Sequence, residues 1–185
     1  NPSFSVASIT ANTGGTVSNV SLAAGTFDFN PAPGFTGTAI VDYTVQDNGC
    51  PGSATSTPAT ISITVSGPVI WFVSGSAGGG GNGTLAQLFL TVAQADAVDA
   101  ANQAIFVYTG TYTNGIALNS GEWLIGQGVS GASFDNFFGI TPPAGTIARP
   151  TINGTRPTLQ NTVTMGGSSQ VKGLNISISS GSNTG

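Results

Sequence analysis

IWFVSGSAGGGGNGTLAQLFLTVAQADAVDAANQAIFVYTGTYTNGIALNSGEWLIGQG, residues 70–128, is the stretch on which the fold turns. It opens in a continuous apolar run, Val69 to Val73, and crosses a loop of small residues from Ser74 to Gly83. After one amphipathic patch come three more short runs, Ala104 to Tyr108, Gly115 to Leu118 and Glu122 to Ile125, each closed by turns containing Gly or Asn. Short apolar segments in such succession predict a solenoid of stacked strands. Thr91 is the expected N-cap of one helix over Val92 to Ala101, with Val92, Ala95 and Val98 as its apolar stripe. Such a helix can cover the open end of a solenoid, where strand edges and apolar residues would otherwise meet water.

Beyond Gly128 the pattern thins and then returns. Phe134 to Phe138 and Ile140 predict an aromatic loop packed as a flap, punctuated by Pro142-Pro143 and Arg149-Pro150. Thr151-Ile152-Asn153, Thr162 to Met165 and Val171 to Ser177 read as further rungs, with Val171, Leu174 and Ile176 turned inward.

Residues 1–66 carry a different period. Phe27 and Phe29 share one face of a short strand. Thr38 to Gln46 alternates, Val41, Tyr43 and Val45 against Ile40, Asp42 and Thr44; Ile61, Ile63 and Val65 alternate with Ser62 and Thr64 in the same way. Strands at this spacing with Gly and Pro turns predict a β-sandwich. Ser66-Gly67-Pro68 is the joint, so the expected organisation is a sandwich over 1–66 and a solenoid over 67–185. The fold class is all-β.

Two resemblances sharpen this. Gly25 to Gly49 resembles the cadherin-like/Ig-like tandem domains of large bacterial surface proteins, which carry a Pro-x-x-Gly-Phe-x-Gly turn and a strand ending in Tyr-Thr-Val-x-Asp. Pro31, Gly34, Phe35, Gly37, Tyr43, Thr44, Val45 and Asp47 stand at those positions. Such domains usually open with further strands, so the resemblance implies a sandwich with an open edge, completed by a strand from another copy or from flanking chain, or else a shorter domain. Residues 69–128 resemble the opening coils of the pectate-lyase-like right-handed parallel β-helix family. The matching pieces are Trp71-Phe72-Val73, Gly83-Thr84, Phe89-x-Thr91, Ile105-Phe106-Val107, Gly110-Thr111-Tyr112 and Leu124-Ile125-Gly126-x-Gly128. Leu88 departs from the proline common before Phe89.

Composition excludes several functions. Only 5% of the 185 residues are charged, against about a quarter in an average domain, so Ser, Thr and Asn solvate the surface. A net charge of −4, no histidine, and only Arg149, Arg156 and Lys172 as cations argue against nucleic acid and against a polybasic membrane patch. No apolar segment approaches the roughly 20 residues of a membrane span. Cys50 is alone, a small buried residue or a link to another chain. The abrupt start and end suggest a piece of something longer.

No catalytic, cofactor or metal site is expected. The glycines at 78–81 lack both the Gly-Lys-Ser/Thr and the G-x-G-x-x-G contexts of phosphate loops. Asp42 and Asp47 are too few for a calcium cage, and Asp47 reads as a turn residue before Asn48-Gly49. The β-helix family includes polysaccharide-cleaving enzymes, but Asp96, Asp99, Glu122 and Asp135 form no clustered motif. Asp96 and Asp99 read as a solvated pair lacking a facing partner, and Arg149 and Arg156 as loop pins. Trp71, Trp123, Tyr108 and Tyr112 could stack on sugars, although both tryptophans sit in apolar runs and read as core. The sequons at Asn19, Asn82, Asn153 and Asn175 matter only where the source glycosylates them. The expected function is a non-catalytic extracellular module of a bacterial surface protein, stalk or filament. It would meet other copies of itself or flanking chain through open β edges. A carbohydrate-binding adhesin module and a fragment of a polysaccharide-degrading enzyme are the alternatives.

Overall fold

Alternating apolar and hydroxyl side chains set the strands of the first region: β1 (Phe4–Thr13), β2 (Gly15–Ser21), β3 (Thr26–Pro31), β4 (Gly37–Asp47) and β5 (Ala59–Val65). In a computed structural model describing residues 3–49, 52–142 and 145–178, the chain divides into two units, Asn1–Gly67 and Pro68–Gly185. Cys50 lies outside the described residues. In the first unit β4 pairs antiparallel with β1 and with β5, giving the order β1-β4-β5, while β2 and β3 form a separate hairpin. On β5 the half-buried positions are Ile61, Ile63 and Val65, and Thr60, Ser62 and Thr64 are exposed. Among the described residues of this unit only Ala39 and Val41 are fully buried. Tyr43 and Val45, expected beside Val41, are only half-buried. The core of this unit is thin.

The second unit is built from parallel pairs. Its strands are β6 (Ile70–Val73), β7 (Ala104–Val107), β8 (Thr111–Tyr112), β9 (Ile116–Ala117), β10 (Trp123–Gly126), β11 (Thr158–Leu159), β12 (Val163–Thr164), β13 (Gln170–Lys172) and β14 (Asn175–Ile176). They form three sheets, ordered β13-β10-β7-β6, β14-β11-β8 and β12-β9. From β7 onward the chain places one strand in each sheet in turn, repeats the cycle with β10, β11 and β12, and begins it again with β13 and β14. Two-residue strands such as β8 and β11 have no readable period; Thr158–Leu159 replaces the rung expected at 151–153, where Ile152 is buried without strand pairing.

In the four-stranded sheet β6, β7 and β10 are apolar on both faces, which is why they read as unbroken apolar runs, while β13 brings Gln170 and Lys172 to its edge. Trp71, Ile105, Leu124 and Val171 stand in register on one face. They pack with Val92, Ala95, Tyr112, Ile116 and Leu159. Phe72, Phe106 and Ile125 line the other face, under Phe134. Phe134–Phe138 is therefore a helix, α2, and not the loop expected from its aromatics. Ser133 caps its start by accepting from Asn136 N at 3.1 Å, and Gly139 ends it at φ 63°. The flap role expected of this segment holds in helical form, because a helix satisfies its backbone while delivering three rings to the sheet. At the far end Ile176, expected inward, is 47% exposed, since no strand stacks beyond β14 among the described residues.

Helix α1 covers only Val92–Asp96, half of what was expected. Val92 and Ala95 are buried, but Val98 is 48% exposed, so nothing holds a second turn against the core. Its start is well made. Thr91 Oγ1 accepts from Gln94 N at 3.3 Å, and the Gln94 side chain returns to accept from Thr91 N at 3.0 Å. Thr91→Ala is expected to cost about 1 kcal/mol in urea unfolding.

Gly173 has φ 71°, and a Cβ there would strike the backbone nitrogen of Val129 and the carbonyl oxygen of Gly126. Neither backbone can retreat, since Val129 N donates to Gly126 O at 2.9 Å in the same turn. Gly173→Ala is expected to destabilise this unit by about 2–3 kcal/mol, read as a lower urea midpoint at unchanged slope.

Candidate functional site

The densest polar constellation gathers where α1 meets the turn before β10. Asp96 Oδ1 accepts from Ala117 N at 3.0 Å, and Asp99 Oδ1 accepts from Asn119 Nδ2 at 3.0 Å. Glu122 is 0% exposed, and its Oε2 accepts from Asn119 N at 2.7 Å. The carboxyls of Asp99 and Glu122 meet each other. The oxygens left over, Asp99 Oδ2 and Glu122 Oε1, are buried without any other partner. Burial pushes the Glu122 carboxyl up to about 8; its bond to Asp99 adds to this and the Asn119 amide opposes it. Burial raises Asp99 as well, with the Glu122 and Asn119 bonds opposing and the Asp96 charge adding. One proton shared between the two facing oxygens satisfies both and explains their lack of other partners.

This corrects the reading of Asp96 and Asp99 as a solvated pair without a facing group. Glu122 faces Asp99, brought there because the short helix turns back and the Asn119 to Glu122 turn rises beside it. The one signal for it in the sequence was an acid at the head of an apolar strand, Glu122 before Trp123-Leu124-Ile125. Two acceptor bonds, Asp96 to Ala117 and Asp99 to Asn119, and one shared proton tie α1 and the chain just after it to β9 and the turn before β10. A carboxyl closed off from solvent touches no solute in this conformation. Among the described residues no group of three His, Cys, Asp or Glu side chains could hold a metal ion.

The remaining candidates lie apart. Asp135 pairs with Arg149 at 3.4 Å, and Arg149 donates to Ile147 O at 2.8 Å and Thr146 Oγ1 at 3.3 Å. That is the loop-pinning role expected of it. The pair borders a groove of about 340 Å³ that also includes Ser133, Thr151 and Asn153. The stem of Arg156 passes over Gly128, where a Cβ would strike it, so its contact is packing. Trp71 is 6% exposed and donates Nε1 to Gln103 Oε1 at 2.6 Å. Trp123 is half-buried with Lys172 Nζ 5.4 Å from its ring centre, and Tyr112 is 4% exposed, its hydroxyl donating to Tyr108 O. Three of the four aromatics weighed as sugar platforms thus have their faces engaged inside the fold. Asp47 Oδ1 accepts from Gly49 N and Ala54 N at 3.2 and 2.8 Å, which holds its carboxyl below the usual range; Asp42 accepts from Asn12 Nδ2.

Strand edges are treated unequally. The free side of β6 is covered by the chain's own loop: Phe72 N donates to Gly83 O, Phe89 N to Phe72 O and Ser74 N to Phe89 O, each at 2.9 Å. Gly83, at φ 77°, lies against the Phe89 and Trp71 rings with no room for a Cβ. The glycine-rich loop is the approach to this cover. In the first unit the outer sides of β1 and β5 have no strand beside them among the described residues.

Residues 1–64 match the family described as bacterial Ig domain. No curated protein and no solved structure matches the chain. The match and the antiparallel strands of Asn1–Gly67 agree on an Ig-like first unit, a type suggestive of an extracellular structural or adhesion-type module. No helix among the described residues is long and apolar enough to cross a membrane.

Proposed function

We propose that this chain is a non-catalytic structural module of an extracellular bacterial surface protein, stalk or filament. Its first unit would be an Ig-like sandwich, and its second the opening coils of a right-handed parallel β-helix. The observation that carries the reading is the bacterial Ig match over 1–64 followed directly by parallel strands visited in a repeating cycle of three sheets. Crossovers between parallel strands are right-handed in nearly all known cases, which supports the handedness. Each coil exposes strand edges at its end and presents its successor with a ready template, so such units join in series. The surface supports a life outside the cell: hydroxyls and amides solvate it, with 5% charged residues. The acids are committed to holding turns in place, Asp96 and Asp99 through Ala117 and Asn119, Asp135 through Arg149.

Immunogold labelling of intact source cells with antibody raised against the purified chain tests this. Label on the cell surface or along projections is the expected result. Label confined to permeabilised cells, or release of unsaturated or reducing sugars from acidic polysaccharides by the purified chain, overturns it.

A further inference from the structure

We infer that β5 is a docking edge for the β5 strand of a second copy of this chain, joined antiparallel about a two-fold axis at Ser62. The inference rests on the reading of this chain as a module assembled through open β edges, and names the edge, the partner and the register.

The two outer strands of the first sheet differ. β1 carries register shifts between Val6 and Ser8 and between Ala11 and Thr13. Such bulges twist an edge out of line with an incoming strand. β5 carries none: its ladder with β4 runs without interruption from Gly37 opposite Val65 to Tyr43 opposite Ala59. It also has no proline and no charge among Ala59-Thr60-Ile61-Ser62-Ile63-Thr64-Val65. Three of the usual devices that blunt an edge, a bulge, a proline and a charge, are missing from this strand, whereas the same chain covers β6 with its own loop.

The strand is also its own complement. An antiparallel pair centred on Ser62 sets Ile61 of one copy opposite Ile63 of the other, Thr60 opposite Thr64 and Ala59 opposite Val65. The half-buried isoleucines meet each other, the exposed hydroxyls meet hydroxyls, and exposed Ala59 meets half-buried Val65 at the two ends of the pair. Opposed β-branched pairs and Thr–Thr pairs are the favourable cross-strand combinations. No like charges face each other, despite the net charge of −4. The two-fold contact closes on itself, giving a six-stranded sheet across two copies. It also adds to the apolar cover of a unit in which only Ala39 and Val41 are fully buried among the described residues.

Seven paired residues make a small interface beside the roughly 1,200–2,000 Å² of a stable one, so a Kd on the order of 10–100 μM is expected. Sedimentation equilibrium of the purified chain from about 1 to about 500 μM reads this. The average mass should climb toward a dimer. Ser62→Lys, which sets two charges against each other on the axis, should weaken association at least tenfold. Thr16→Lys, an equal charge on exposed β2, should leave it unchanged. In a Cys50→Ser background, Ser62→Cys treated with oxygen and a copper catalyst should give a disulfide between the two copies at position 62, identified by peptide mapping. Directly opposed Cα atoms lie about 4.5–5.5 Å apart, within the range a disulfide spans.

A chain monomeric at every concentration, a dimer indifferent to Ser62→Lys, or a cross-link that does not form in the dimer would each overturn the inference. Surface labelling of cells with a monomeric purified chain would leave the proposed function standing and this inference refuted. Absence from the surface with a Ser62-dependent dimer would do the reverse.

Discussion

Replacing Phe106 by alanine is expected to remove about 3–5 kcal/mol from the stability of the second unit. Phe106 is 0% exposed at the middle of the four-stranded sheet. Its ring lies 5.1 Å edge-on from Phe134, 5.4 Å edge-on from Tyr108 and 6.2 Å from Phe72. Truncation loses the transfer energy of the ring, leaves a cavity that β7 and α2 cannot both close, and breaks two edge-to-face contacts. Against a usual total of about 5–15 kcal/mol, this is the largest single-residue effect expected here. Urea titration followed by tryptophan fluorescence measures it, because both tryptophans, Trp71 and Trp123, lie in this unit. Val98→Ala, at a position 48% exposed in the turn after α1, should change stability by less than about 0.5 kcal/mol. Equal effects at the two positions would mean that the aromatic layer under α2 is not the core described.

Stability of the same unit is expected to fall as pH rises from about 4.5 to about 8. The folded protein holds a proton on the Glu122–Asp99 pair that the unfolded chain gives up near the ordinary carboxyl range, 4.5 for Glu122, while the folded Glu122 gives it up near 8. The unfolded state therefore binds fewer protons throughout this window, and each step upward in pH favours unfolding. The contribution is complete below pH 4.5 and gone above about 8. Glu122 is closed off from solvent but lies close beneath the surface, where a small rearrangement admits water, so the loss is set at about 2 kcal/mol, well under the full shift. Glu122→Gln keeps an acceptor for Asn119 N and supplies a permanent donor to Asp99. It should flatten the pH slope and stabilise the protein at pH 8 by a similar amount. An unchanged slope in the variant would assign the dependence to other groups.

Much of the strand pattern is visible in the chain, for a physical reason that differs between its halves. β4 and β5 alternate because one face of each meets water, so Ile61, Ile63 and Val65 stand out against Thr60, Ser62 and Thr64. β6, β7 and β10 do not alternate, because α2 and its neighbours cover the face that would otherwise be polar; their continuous apolar runs mark them instead. The two-residue strands β8 and β11 are set by stacking on each other, Thr111 beside Thr158 and Tyr112 beside Leu159, so the chain itself carries no signal for them. The length of α1 escaped for a related reason. Its apolar spacing continues to Val98, but the core it packs on stops at Ala95.

By itself, then, the amino-acid order determined the alternating strands β4 and β5, the apolar runs of β6, β7 and β10, the change of character at Gly67, the cap at Thr91 and the poverty of charge. These are local properties of side-chain size, polarity and backbone freedom. Only the tertiary structure decided that Glu122 meets Asp99, that Phe134 to Phe138 coil into a helix over the sheet, that the loop reaching Phe89 covers β6, and that no strand among the described residues pairs with the outer side of β5. Each of these depends on which distant segment arrives alongside, and the energy that selects it resides in contacts between residues that no local period connects.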